Sequence, residues 1–176
     1  MRCLKVLCRT LLCSLVLVGF SSSVLAAEPQ HLPKATLPSV TGGTAALADL
    51  AGKQATLLVF LNPECPISNG YLPQINRMAA AHKERDVAFI GVHSNAGHSL
   101  KDLAAHRTEY AIRFPVLKDA GGALAESLGV TTCPSVCLFD AAGRLVYQGR
   151  IDDRHVRRGG AANEARSRDL EDALAA

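Results

Sequence analysis

No Cys-x-x-Cys pair and no close Cys/His quartet occurs among the 176 residues, which argues against a structural zinc site of the usual spacing. Internal repeats and low-complexity tracts are also missing, so solenoid and disordered-linker readings have nothing to rest on. Nor is there a surplus of one charge. Three of the 19 basic residues, Arg2, Lys5 and Arg9, fall in an N-terminal leader, leaving 16 basic against 16 acidic residues in the remainder. A formally neutral chain carries no electrostatic footprint for nucleic acid or for a membrane surface.

The leader has the three parts of a secretory signal peptide: the charged start, an apolar run from Leu11 to Phe20, and a small-residue context at Val24-Leu25-Ala26. Residues 1–26 are therefore expected to be cleaved and the protein exported, most simply to a periplasm. An uncleaved anchor is the alternative, although the apolar run is short for a membrane span. Leu12 before Cys13 does not fit a lipidated cysteine. No stable membrane insertion is expected after cleavage.

Cys3, Cys8 and Cys13 leave with the leader, so Cys65, Cys133 and Cys137 remain. Three cysteines allow one internal disulfide at most, and about 150 residues suffice for one self-supporting core.

Strand and helix patterns alternate along this remainder. Residues 27–35 read as a linker or N-terminal arm and 36–176 as one domain. Thr44–Leu47 suits a short strand, and Ala55–Leu61 is an unbroken apolar run of the kind buried on both faces. Ser68–His82 has helical periodicity, with a kink expected at Pro73. Val87–Val92 reads as a second buried strand, Ser99–Tyr110 as a helix, and Ala123–Leu128 as a short helix closed by Gly129. Val136–Phe139 and Leu145–Tyr147 form a hairpin across Asp140-Ala141-Ala142-Gly143, and Glu164–Ala175 ends the chain as a helix. Long crossovers followed by a tight hairpin predict an α/β fold with a mixed central sheet and helices on both faces.

Cys65 stands where the apolar strand gives way to a helix. That position surrounds a sulfur with unpaired backbone N–H groups and the positive end of the helix dipole, both of which favour a thiolate. Cys137, between Val136 and Leu138 in a strand, reads as core. Asp152-Asp153-Arg154 reads as a solvated or salt-bridged loop.

Several pieces together resemble a thioredoxin-fold redoxin of the alkyl hydroperoxide reductase and thiol-specific antioxidant superfamily, in its exported, disulfide-reductase-like branch. They are Cys65-Pro66-Ile67-Ser68 after a strand, Phe114-Pro115-Val116-Leu117-Lys118-Asp119, and Gly129-Val130-Thr131-Thr132-Cys133-Pro134 leading into Leu138–Gly143. The resemblance implies a thioredoxin-like fold and a cis Pro134 beside the reactive Cys65. Ser68 stands where dithiol members carry their second cysteine, and Asn62 where peroxidatic members carry threonine or serine. The resemblance also sets Cys133 across from Cys65, so that Cys133 could replace the missing partner as the resolving thiol.

The implied activity is that of an exported enzyme exchanging electrons with disulfides through Cys65, with Cys133, Pro134 and Ser68 around it, and with no cofactor and no metal. Its partners would be a disulfide or thiol substrate, protein or small molecule, and an exported electron donor. Two alternatives stay open. One is a thiol peroxidase with Cys65 peroxidatic. The other is a non-catalytic or copper-handling binding module, the latter using Cys65, Cys133 and a histidine such as His93 or His98. Ser68 would either donate to the thiolate or cap the helix.

Overall fold

The computed structural model describes residues 30–155 and 164–176, so the leader 1–26 lies outside the described residues. Two short strands, β1 (Thr36–Pro38) and β2 (Thr44–Ala46), pair antiparallel and run into a one-turn helix α1 (Leu47–Leu50). The central sheet is built from β3 (Ala55–Phe60), β4 (Val87–His93), β5 (Val116–Lys118), β6 (Ser135–Asp140) and β7 (Leu145–Gly149), in the spatial order β5-β4-β3-β6-β7. The pairs β3–β4 and β4–β5 are parallel, while β3–β6 and β6–β7 are antiparallel. The sheet is thus mixed, as the sequence pattern predicts.

Alternation along the strands divides the core into two layers. Leu57, Val59, Phe89, Val136 and Leu138 face the helices α2 (Pro66–His82), α3 (Leu100–Glu109) and α5 (Asp169–Ala175). Leu58, Phe60, Ile90, Val92, Cys137 and Phe139 face α1 and α4 (Ala123–Ser127). A fully buried Leu or Phe contributes about 1.5–3 kcal/mol, so the two layers rather than any local propensity hold the central strands in place.

Side chains punctuate the elements. Ser99 and Asp102 form a capping box at the start of α3. Buried Asp119 accepts from the backbone N–H groups of Leu124 and Ala125 and from the Ser94 hydroxyl, which anchors α4. The β6–β7 turn is closed by Asp140, whose carboxylate accepts from the N–H groups of Ala142 and Arg144, with Gly143 at φ +75°. The arm before β1 is docked against this turn, since Leu32 N–H donates to the Gly143 carbonyl and Leu145 N–H to that of Gln30.

Three expectations change. Helix α2 begins at Pro66 rather than Ser68 and runs to His82 with Pro73 inside it. Leu47 belongs to α1 and not to the strand before it. The last helix begins at Asp169 rather than Glu164, because the Asp153 carboxylate accepts from the N–H groups of Arg166 and Ser167 and holds that stretch as a loop.

Candidate active site

The end of β3, the loop 61–65 and the first turn of α2 carry the site. Cys65 is itself the N-cap, in extended conformation with Pro66 at the first helical position. Its Sγ accepts the backbone N–H of Ser68 at 3.4 Å, so a sulfur takes the place that a serine or aspartate oxygen usually fills. Asn62 shapes the approach, its carbonyl accepting from Cys65 N–H and its side-chain oxygen from Glu64 N–H. The capping reading of Ser68 is corrected here: Ser68 lies in the first turn, fully buried, and its Oγ accepts from Asn62 N–H at 3.3 Å.

Pairing of β6 against β3 places Ser135 opposite Phe60, which brings the residues just before β6 to the mouth of the loop. The Cys133–Pro134 peptide is cis. The Cys65 thiol donates to the Cys133 carbonyl at 3.6 Å, and the Cys133 thiol donates to the Phe60 carbonyl at 3.0 Å. Both are free thiols and both are half-buried. Burial, reinforced by the neighbouring Cys65, pushes the Cys133 thiol up to about 12, and a hydrogen bond with the Ser68 side chain works the other way. The structure therefore gathers Cys65, Ser68, Cys133 and Pro134 at the end of the sheet where β3 finishes and β6 begins.

Cys137 is placed elsewhere, fully buried in the α1/α4 layer, where burial pushes its thiol up to about 12. A groove of about 250 Å³ runs beside Cys133, floored by Phe60 and Val92 and edged by Asn62, Ser94 and Thr132.

The histidines are structural neighbours of the loop. His93 is fully buried, its Nδ1 3.0 Å from the Leu61 carbonyl, and burial together with nearby His106 pushes it down to about 4. His98 Nε2 lies 3.9 Å from the Glu64 carboxylate. Among the described residues, no group of three His, Cys, Asp or Glu side chains is arranged to hold a metal ion.

Sequence reasoning missed two networks. Asn69 donates to the Pro63 carbonyl at 2.7 Å and to the Tyr110 hydroxyl at 3.2 Å, and its side-chain oxygen meets His106 Nε2 at 2.9 Å. Behind α2, the hydroxyl of buried Tyr71 donates to the carboxylate of buried Asp152, which Arg154 also binds through Nε at 2.9 Å. The expected loop at 152–154 is salt-bridged, but Asp152 is not solvated. The Arg154 guanidinium covers the Tyr71 ring and supplies the compensating charge.

Comparison with known proteins gives a consistent picture. Residues 29–148 match the AhpC/TSA family. The thiol-disulfide oxidoreductase ResA of Halalkalibacterium halodurans is 25% identical over 129 residues, 72% of this chain and 70% of that protein. The crystal structure of a hypothetical protein from Sinorhizobium meliloti 1021 superposes with a TM-score of 0.74 at 26% identity, covering 84% of this chain and 81% of that one. A secreted Mycobacterium tuberculosis disulfide oxidoreductase superposes with a TM-score of 0.62 at 22% identity, covering 81% and 95%. The fold is thioredoxin-like, and no helix of the described residues is long and apolar enough to cross a membrane.

Proposed function

This chain belongs to the AhpC/TSA family, and we propose that it is a thiol-disulfide oxidoreductase in which Cys65 attacks and Cys133 resolves. The observation that carries the reading is the Cys65 sulfur at the N-cap of α2, within 3.4 Å of the Ser68 N–H and 3.6 Å of the Cys133 carbonyl. The ResA relatives support the same reaction class.

In the forward direction the Cys65 thiolate attacks one sulfur of a substrate disulfide. The substrate S–S bond breaks, a Cys65–substrate disulfide forms, and the departing substrate sulfur leaves as a thiolate that takes up a proton. Cys133 then loses its proton and attacks the Cys65 sulfur. That step releases the second substrate thiol and leaves a Cys65–Cys133 disulfide, so two electrons have passed from the protein to the substrate. An external dithiol restores the reduced pair. Ser68 serves both sulfurs, its backbone N–H donating to Cys65 and its nearby side chain lowering the cost of charge on Cys133.

The groove beside Cys133 suits an extended peptide on either side of a protein disulfide. Residues 1–26 act as a cleaved leader, 27–35 as an arm, and 36–176 as the working domain, exported to the periplasm, where an exported thiol donor would serve it. Reduction of insulin and of a small-molecule disulfide, assayed beside peroxide consumption, tests this reading. Disulfide turnover that is abolished by Cys65→Ser, with peroxide left unconsumed, is the expected result. Peroxide consumption without disulfide turnover would replace this reading with the peroxidase one.

A further inference from the structure

Four polar groups of the loop that presents Cys65 are held by side chains. The Leu61 carbonyl meets His93 Nδ1 at 3.0 Å, the Asn62 N–H meets Ser68 Oγ at 3.3 Å, the Pro63 carbonyl meets Asn69 Nδ2 at 2.7 Å, and the Glu64 N–H meets Asn62 Oδ1 at 3.0 Å. Three of these clasps come from β4 or from the loop and helix turn themselves. The Asn69 clasp is hydrogen-bonded onward to His106 on α3, whose ring also packs edge to face with that of His93 at 5.3 Å.

A carbonyl can only accept, so Asn69 must turn its NH₂ toward Pro63 and to the Tyr110 hydroxyl, which leaves its oxygen facing His106 Nε2 at 2.9 Å. That oxygen in turn requires a hydrogen on Nε2. His106 is 4% exposed, and its Nδ1 is buried with no hydrogen-bond partner among the described residues, as expected when Nε2 carries the hydrogen. The Tyr110 ring packs on the imidazole with centroids 4.8 Å apart and restrains its rotation. Flipping the Asn69 amide would set two oxygens, on Asn69 and Pro63, face to face. His106 therefore reinforces the amide orientation that the Pro63 carbonyl requires and that grips the loop. Both the neutral Nε2–H tautomer and the imidazolium donate from Nε2, so this function survives protonation.

We propose that His106 is a positioning residue for Cys65, acting through Asn69 on the main-chain carbonyl of Pro63. Pro63 lies two residues before the sulfur. Slack there moves Cys65 away from the Ser68 N–H and the Cys133 carbonyl, contacts already at 3.4 and 3.6 Å. The inference rests on the reading above only in taking Cys65 as the reactive thiol.

The test compares His106→Phe, His106→Gln and Asn69→Asp in the full chain. Glutamine can place an N–H where Nε2 stands, phenylalanine cannot, and aspartate keeps the size of Asn69 but offers Pro63 an oxygen. Iodoacetamide alkylation of Cys65 at pH 7, resolved by peptide mass spectrometry, should slow about tenfold or more in His106→Phe and Asn69→Asp, and return to within about threefold of wild type in His106→Gln. Nitrogen-15 NMR of the wild-type imidazoles should show the hydrogen of His106 on Nε2. A His106→Gln protein as slow as His106→Phe, an Asn69→Asp protein at or above the wild-type rate, or an Nδ1–H tautomer would overturn the proposal. If His106→Phe does not fold, the glutamine and aspartate variants and the tautomer still decide. Alkylation needs no disulfide substrate, so a protein inactive toward disulfides would sink the functional reading and leave this result standing.

Discussion

The Cys65 sulfur lies 3.6 Å from the carbonyl oxygen of Cys133, 68 positions further along the chain. The β3–β6 register makes that contact, by setting Phe60 opposite Ser135 and thereby delivering the residues before β6 to the thiol. Two cysteines that no sequence spacing unites become one site through strand pairing.

The three cysteines should differ sharply in reactivity. Burial pushes Cys133 and Cys137 up to about 12, which leaves roughly one molecule in 10⁵ as thiolate at pH 7 for each. Cys65, open to solvent in part and facing the α2 amides, should alkylate at least about tenfold faster than either in the native protein. Equal rates, measured by mass-resolved alkylation, would contradict the geometry.

Resolution should be the pH-sensitive half of the cycle. In the mixed disulfide Cys65 carries no charge, so only burial still raises Cys133, and burial is the largest cause of its shift. The thiolate fraction then climbs about tenfold per pH unit below that value. Quenched single-turnover measurements should show release of the second substrate thiol accelerating by nearly a hundredfold between pH 6 and 8, about tenfold for each unit. A flat profile would remove Cys133 from the role.

His93 should make the fold acid-sensitive. Burial, then His106, pushes it down to about 4, below the unfolded value of about 6.5. The unfolded chain therefore binds the proton first, so stability is fully present above about 6.5 and is lost as the pH falls toward 4, by about 3 kcal/mol in all. Urea denaturation at pH 7.5 and 5 checks this. A His93→Gln protein that keeps the full drop between those two pH values would refute the assignment.

The Tyr71–Asp152 contact is a structural one behind α2. Burial first, and then the hydrogen bond to Asp152, raise the Tyr71 hydroxyl well above its ordinary value. Tyr71→Phe removes one of the donors to a buried carboxylate that also accepts the N–H of Arg154 at 3.0 Å. Loss of about 1–3 kcal/mol in urea denaturation is expected. A variant as stable as wild type would show that Arg154 alone satisfies Asp152.

Much of this was legible in the sequence, for identifiable reasons. The run Ala55–Leu61 betrays a strand buried on both faces, and Cys65 after it a sulfur delivered to the start of a helix, although the cap is Cys65 itself and not Ser68. Asp140–Gly143 announced its turn through side-chain chemistry that acts within four residues. Local signals of this kind do not extend to Asn69 and His106, which sit 37 positions apart and read as ordinary helix residues. Three charges in a row at 152–154 suit a solvated or a salt-bridged loop alike, and only tertiary packing reveals that the loop is salt-bridged and that Tyr71 and Arg154 bury Asp152. The final helix starts later than its periodicity suggests, because that pattern says nothing of the Asp153 carboxylate that holds residues 166 and 167 in a loop.

The most direct test of the central claim is mass spectrometry of wild type, Cys133→Ser and Cys137→Ser after exposure to an oxidised protein substrate. The account predicts a Cys65–Cys133 peptide in oxidised wild type and in Cys137→Ser. In Cys133→Ser it predicts an accumulating Cys65–substrate mixed disulfide, because attack proceeds while resolution cannot. Normal turnover by Cys133→Ser, with no Cys65–Cys133 peptide in the wild type, would contradict it and leave Cys65 working as a single thiol.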